Sequence, residues 1–152
     1  MAVRVQEAPF DVGAEYARFA AGGGSHGVGA IAMFVGTVRS VDDQPSVNAL
    51  TLEHYPGMTE RMLERIEQDA RSRWPLADAL IIHRYGRMLP GEGIVLVLTA
   101  SAHRAAALDA CAFLMDYLKT KAPFWKLEET AAGATWVDAR DSDDAALTRW
   151  TA

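Results

Sequence analysis

The sequence is poor in several things that would point to familiar chemistries. It has one cysteine, Cys111, so no internal disulfide can form and a reducing compartment suits it. Cys111 falls on the apolar face of an expected helix. That is the setting of a structural thiol, because a nucleophilic one needs an accessible, electropositive environment. The longest apolar runs, such as Ile94–Leu98, are far too short to span a bilayer. The opening "MAVRVQEAPF" lacks the apolar core of a secretory signal, and a cytoplasmic protein is expected. His26, His54, His83 and His103 are scattered, with no two at metal-ligand spacing and no cysteine pair beside them. Neither a metal site nor a cofactor is expected. His54 and His83 alternate along expected strands and read as structural. There is no P-loop, and no serine sits in a nucleophile elbow. Gly22, Gly24 and Gly27 match the spacing of a dinucleotide fingerprint, but they follow a helix and precede a strand. The fingerprint needs strand, glycines, then helix, so this run is a loop.

What is present is an ordinary globular balance. Half of the 152 residues are hydrophobic and 23% are charged, which suits one domain over 1–152 with a real core. A net charge of −5 argues against a general binder of nucleic acid or anionic membrane. A basic cluster in such a chain is local, and fits one small anionic ligand better than a polymer.

The pattern along the chain predicts strands and helices in mixed order. "AVRVQ" is a short strand and "DVGAEYARFAA" a helix capped by Asp11. "AIAMFVGTVR", Ala30 to Arg39, is a buried strand, and "SVDDQPS" a polar turn. "VNALTLEHY" alternates as a half-buried strand does. Pro56 suits the first turn of the next helix, with Met58, Met62, Ile66 and Ala70 as its apolar stripe. "DALIIHRYG" and "IVLVLTA" are strands flanking the turn "MLPGEG". Ser101 is placed to cap a helix whose apolar face is Leu108, Cys111, Met115 and Leu118. Pro123 ends that helix. "FWKLEET", a glycine turn and "TWVDA" make a hairpin, and "SDDAALTRW" closes with a short helix. Paired strands separated by helices indicate an α+β or mixed-sheet domain, not a regular βαβ array.

Three motifs carry chemistry. In "TASAHR", His103 and Arg104 fall in the first turn of a helix, where free N–H groups and the dipole already make the site electropositive. An anion such as phosphate would reverse that unfavourable arrangement; otherwise the two are simply exposed side chains. In "FVGTVR", Arg39 emerges where the strand leaves the core, and Gly36 could let a ligand approach the backbone. In "DYLKTKAPFWK", Lys119 borders the apolar helix face. Lys121 is turned from it by about 200°, and Lys126 follows the proline beside Phe124 and Trp125. Such lysines either snorkel over apolar surface or serve as acid, base or nucleophile. His103 and Lys119 are about 24 Å apart along one helix, too far for one small ligand. A two-fold dimer would bring the His103/Arg104 end of one chain to the Lys119 end of the other. On these features alone, a phosphate-binding dimeric module and a stand-alone transferase also stay open. The latter lacks a nucleophile–base pair.

Taken together, "FVGTVR", "LTLEHYPGMTE", "HRYGRMLPGE", "SAHR" and "MDYLKTKAPFWK" resemble the catalytic (large) subunit of molybdopterin synthase, from about Phe34 to Trp150. The resemblance implies an α/β-hammerhead fold with a mixed, largely antiparallel sheet and flanking helices. It implies a homodimer at the centre of a heterotetramer, with a small ubiquitin-like sulfur carrier at each end. The carrier's C-terminal Gly-Gly thiocarboxylate would give sulfur to cyclic pyranopterin monophosphate. Two transfers make the molybdopterin dithiolene, a step of molybdenum cofactor biosynthesis. Carried over by position, the substrate-binding residues are Thr37, Val38, Arg39, His103, Arg104, Lys119, Lys126, Leu127 and Glu128. Phe34, Met115 and Arg140 line the pocket, and Lys119 and Lys126 are catalytic. Leu127 departs from the family, which usually has a basic residue there.

Overall fold

A computed structural model describes residues 2–22, 25–40, 47–137 and 145–151. The elements in chain order are β1 (Val3–Gln6), α1 (Val12–Ala20), β2 (Ala30–Thr37), β3 (Val47–His54), α2 (Met58–Arg73) and β4 (Leu76–Arg84). They continue with β5 (Gly86–Met88), β6 (Gly93–Ser101), α3 (Arg104–Lys121), β7 (Phe124–Thr130) and β8 (Gly133–Val137). Single 3-10 turns lie at Ser25–Gly27 and Leu147–Trp150.

The strands form two four-stranded sheets. The first runs β1-β4-β6-β2 and the second β5-β3-β7-β8. Among the described residues only β1 and β4 pair in parallel, and the other pairs are antiparallel. The α+β architecture and the largely antiparallel, mixed pairing match the expectation, with the strands divided between two sheets.

Alternation along β4 and β6 buries both faces of the first sheet. Ile81, Val95 and Val97 face α2 and α3, packing on Leu63, Ile66, Phe113, Leu114 and Leu118. Leu80, Ile82, Leu96 and Leu98 face the opposite way and pack on Phe10, Val12 and Phe19 around α1. A smaller cluster of Val38, Leu50, Leu52, Met88 and Ile94 underlies the second sheet. The continuous apolar run of β6 is thus explained by cover on both sides.

Local sequence sets the ends of the helices. Asp11 caps α1, its Oδ1 accepting from the Ala14 N–H at 2.9 Å. Gly57, at φ +85°, turns the chain into α2 in a region that L side chains resist. The Glu60 carboxylate accepts the Gly57 N–H at 2.7 Å. Pro56 therefore precedes the N-cap and is not in the first turn. α3 begins at Arg104 with His103 as its N-cap, and Ser101 is the last residue of β6. The Ser101 hydroxyl donates to the Pro75 carbonyl at 2.9 Å, so it ties two strand ends together and does not cap the helix. Leu108 is 59% exposed; the buried face of α3 is Ala107, Ala110, Cys111, Phe113, Leu114, Met115 and Leu118. Met58 is likewise exposed, and Leu63 takes its place in the stripe of α2.

Candidate active site

The end of α3 is where the lysines meet. Ala122 is extended (φ −73°, ψ 132°), as a residue before proline prefers, and the helix stops at Lys121. The Thr59 hydroxyl accepts the Tyr55 N–H at 3.1 Å and donates to the Pro123 carbonyl at 3.3 Å. This bond anchors the turn to the start of α2. Beyond it, β7 runs back along β3, with Lys126 opposite Leu52 and Glu128 opposite Leu50.

The reversal closes a cleft lined by Lys119, Lys126, His83, Phe124, Leu118, Ala122, Leu50, Leu52 and Ile94. Six of these nine are apolar or aromatic, two are lysines, and none is a carboxylate. Lys119 is exposed at the rim and Lys126 is half-buried. Period-two alternation places Glu128 on the Lys126 face of β7, while Leu127, opposite Thr51 and Trp136, lies on the other. Larger grooves exist, but without this chemistry. One of about 630 Å³ lies along Met62, Ile66 and Tyr117, and it is there that Lys121 points, away from Lys119.

His83 forms the cleft's floor. It is buried, and its ring stacks on Phe124 with centroids 3.8 Å apart at 17°. Its Nδ1 lies 2.9 Å from the Arg84 carbonyl oxygen. Burial pushes the imidazole down to about 4, against the pull of that carbonyl; Lys119, Lys126 and His54 press the same way as burial. The ring is therefore neutral at physiological pH.

The other predicted residues take separate places. Val38 is buried against Leu50, Leu52 and Ile94, directly behind the cleft wall. Its N–H donates to the Glu92 carbonyl at 2.9 Å and its carbonyl accepts from Gly91 at 2.8 Å. The turn before β6 thereby holds Thr37, Val38 and Arg39, and Thr37 and Arg39 are exposed. Phe34, on the α3-facing side of β2, is 38% exposed. A Cβ on Gly36 would meet its ring at 3.3 Å and Val95 Cγ1 at 2.7 Å. The space before Gly36 is thus filled by Phe34 and is not open to a ligand. Met115 is buried one helical turn before Lys119. Neither Phe34 nor Met115 is among the residues lining the cleft. Arg140 lies outside the described residues. His103 and Arg104 are exposed at the far end of α3, and about 22–24 Å of helix separates them from Lys119.

Reading the sequence alone missed His83 and Phe124 as parts of this cleft. The signal was available for His83, since it shares the α3-facing side of β4 with Ile81. No local pattern indicates that Phe124, from a different sheet, would close over it. Among the described residues, no three His, Cys, Asp or Glu side chains converge as a metal site.

Comparison with known proteins identifies the family and the fold. Residues 5–121 match the MoaE protein family. A molybdopterin synthase catalytic subunit of Ralstonia nicotianae is 56% identical over 148 residues, covering 97% of this chain and 83% of that protein. One from Cereibacter sphaeroides is 55% identical over 150 residues, covering 99% and 100%. Among solved structures, molybdopterin cofactor biosynthesis protein E from Burkholderia multivorans superposes with a TM-score of 0.82 at 52% identity, covering 99% and 96%. With a family match over most of its length and relatives more than half identical across nearly all of it, the chain belongs to the MoaE family.

Proposed function

We propose that this chain is the catalytic subunit of a molybdopterin synthase, working in the cytoplasm as one domain. It takes sulfur from the C-terminal thiocarboxylate of a small ubiquitin-like carrier and places it on cyclic pyranopterin monophosphate. The observation that carries the reading is the convergence of Lys119 and Lys126 on one cleft with apolar walls and, among its described lining residues, no carboxylate. An anionic chain terminus suits such a cleft, and water-poor walls strengthen its charge interactions.

In the proposed step the carrier's sulfur adds to an electrophilic, unsaturated substrate carbon, whose π electrons move to the neighbouring atom, which takes up a proton. Water then attacks the acyl carbon, the C–S bond breaks, and the carrier leaves as a carboxylate. The sulfur stays on the substrate and one proton is released. Lys119 and Lys126 stabilise the oxyanion that forms at the acyl carbon, and Lys119 moves the proton. Arg39, His103 and Arg104 hold the substrate phosphate, the last two from the start of α3. Thr37, Val38, Leu127 and Glu128 complete the substrate surface, with Leu127 contributing only backbone. Phe34, Met115 and Arg140 shape its surroundings. Because α3 separates the two cationic ends, each site is shared by two chains of a two-fold dimer, with a carrier at each end.

The test is reconstitution with a thiocarboxylated carrier and cyclic pyranopterin monophosphate, following dithiolene product. Wild type is expected to form it and Lys119→Ala almost none. No product from wild type, with the carrier bound and its thiocarboxylate intact, would turn the reading toward a phosphate-binding module.

A further inference from the structure

His83 is a polar side chain in the cleft to which neither the resemblance nor the reaction above gives a part. Three observations constrain it. Its Nδ1 faces a carbonyl oxygen, which can only accept, so Nδ1 carries the hydrogen and Nε2 is left with a free lone pair. Its ring is clamped flat against Phe124, and Phe124 sits beside His54, which in turn packs on Tyr85 at 4.3 Å. Its neighbours in the cleft that carry charge are Lys119 from α3 and Lys126 from β7, and Lys119 acts on it the more strongly. A ring fixed at one edge and stacked on one face presents its other edge, with Nε2, in a single direction. His83 shares the lining of the cleft with both lysines, and none of the described lining residues is a carboxylate.

We propose that His83 is a positioning residue for Lys119, its Nε2 lone pair accepting one N–H of the Lys119 ammonium and fixing where the other two point. A carboxylate in the same place would neutralise the charge that an anionic tail needs to meet. A neutral imidazole orients the ammonium and leaves its charge intact. This role rests on the sulfur-transfer reading, but the geometry behind it does not.

The experiment has two arms. The first is 15N NMR of histidine-labelled protein, with no substrate present. His83 is expected as the neutral Nδ1–H tautomer from pH 6 to 8, with an Nε2 resonance that moves in Lys119→Ala. An Nε2–H tautomer, or an Nε2 resonance indifferent to Lys119→Ala, would overturn the proposal. The second arm is single-turnover sulfur transfer by His83→Phe, which keeps the stack, and His83→Gln, which restores an acceptor. Loss of a hydrogen bond to a charged group predicts a rate on the order of tenfold lower or more in His83→Phe, with KM little changed and His83→Gln largely rescued. Equal rates in both variants at matched thermal stability would make His83 a packing residue. Failure of the parent reading is distinguishable, because wild type would then make no product while the first arm still reports on His83 and Lys119.

Discussion

The His83 imidazole and the Phe124 ring lie 17° from parallel with centroids 3.8 Å apart, one from each sheet. The stack joins the two sheets at the cleft floor, and it keeps a titratable group out of water.

That burial predicts an acid-sensitive fold. His83 is held at about 4 when folded, below its ordinary value of 6.5. The unfolded chain therefore binds the proton first. Above pH 6.5 the group has no effect. As pH falls from 6.5 toward 4, stability is lost at up to about 1.4 kcal/mol per pH unit. Glu15, held low chiefly by its bond to Arg4, adds a loss only at more acid pH. Urea unfolding at stepped pH should show the first slope, and His83→Phe should flatten it.

Cys111 predicts the opposite of reactivity. Burial pushes its thiol up to about 11, so it stays protonated at neutral pH. Iodoacetamide at pH 7.5 should label the unfolded chain far faster than the folded one. Cys111→Ala should retain sulfur transfer. Its cost is a small cavity beside the α3 core, about 1 kcal/mol in unfolding.

The three lysines near the end of α3 should separate cleanly. Lys119 and Lys126 line one cleft and Lys121 another groove. Replacing either of the first two by alanine should lower the single-turnover rate by about 10²–10³, the usual loss for an oxyanion donor. Lys121→Ala should stay within about twofold, because a surface cation at that distance is screened.

Asp116, outside the cleft lining, predicts a stability effect. One of its oxygens accepts from the Trp150 indole at 2.6 Å and from Arg149 at 2.7 Å. Trp150 in turn packs edge-on against Trp74 and Phe113. Asp116→Ala should cost about 1–3 kcal/mol in urea unfolding, most of it from the half-buried indole, since exposed Arg149 contributes little.

Much of the fold was legible because each strand and helix carries its own period. The alternation of Val47–His54 and the buried runs of β4 and β6 reveal themselves without tertiary information, as does Asp11 at the start of α1. The stop at Pro123 is equally local. What was not legible depends on partners distant in sequence. Ser101 has the chemistry of a cap, but the Pro75 carbonyl takes its hydroxyl, and that contact spans 26 residues. Leu108 fits the helical spacing of α3, yet the sheet does not reach that side of the helix. Gly36 reads as an opening and is instead covered by its neighbour Phe34. The site divides the same way. The lysines stood out by their crowding near a proline, whereas His83 looked like any strand histidine until Phe124 was seen to cover it.

The length of α3 has an arithmetic consequence. Its 18 residues put His103 and Lys119 at opposite ends, so in a two-fold pair each site would draw one end from each chain. Two separately inactive proteins, His103→Ala and Lys119→Ala, should then complement one another. After random exchange, half of the dimers are mixed, and each mixed dimer holds one site with both ends intact and one with neither. Equal mixing should thus restore about a quarter of wild-type turnover, and a cross-link that blocks exchange should restore none.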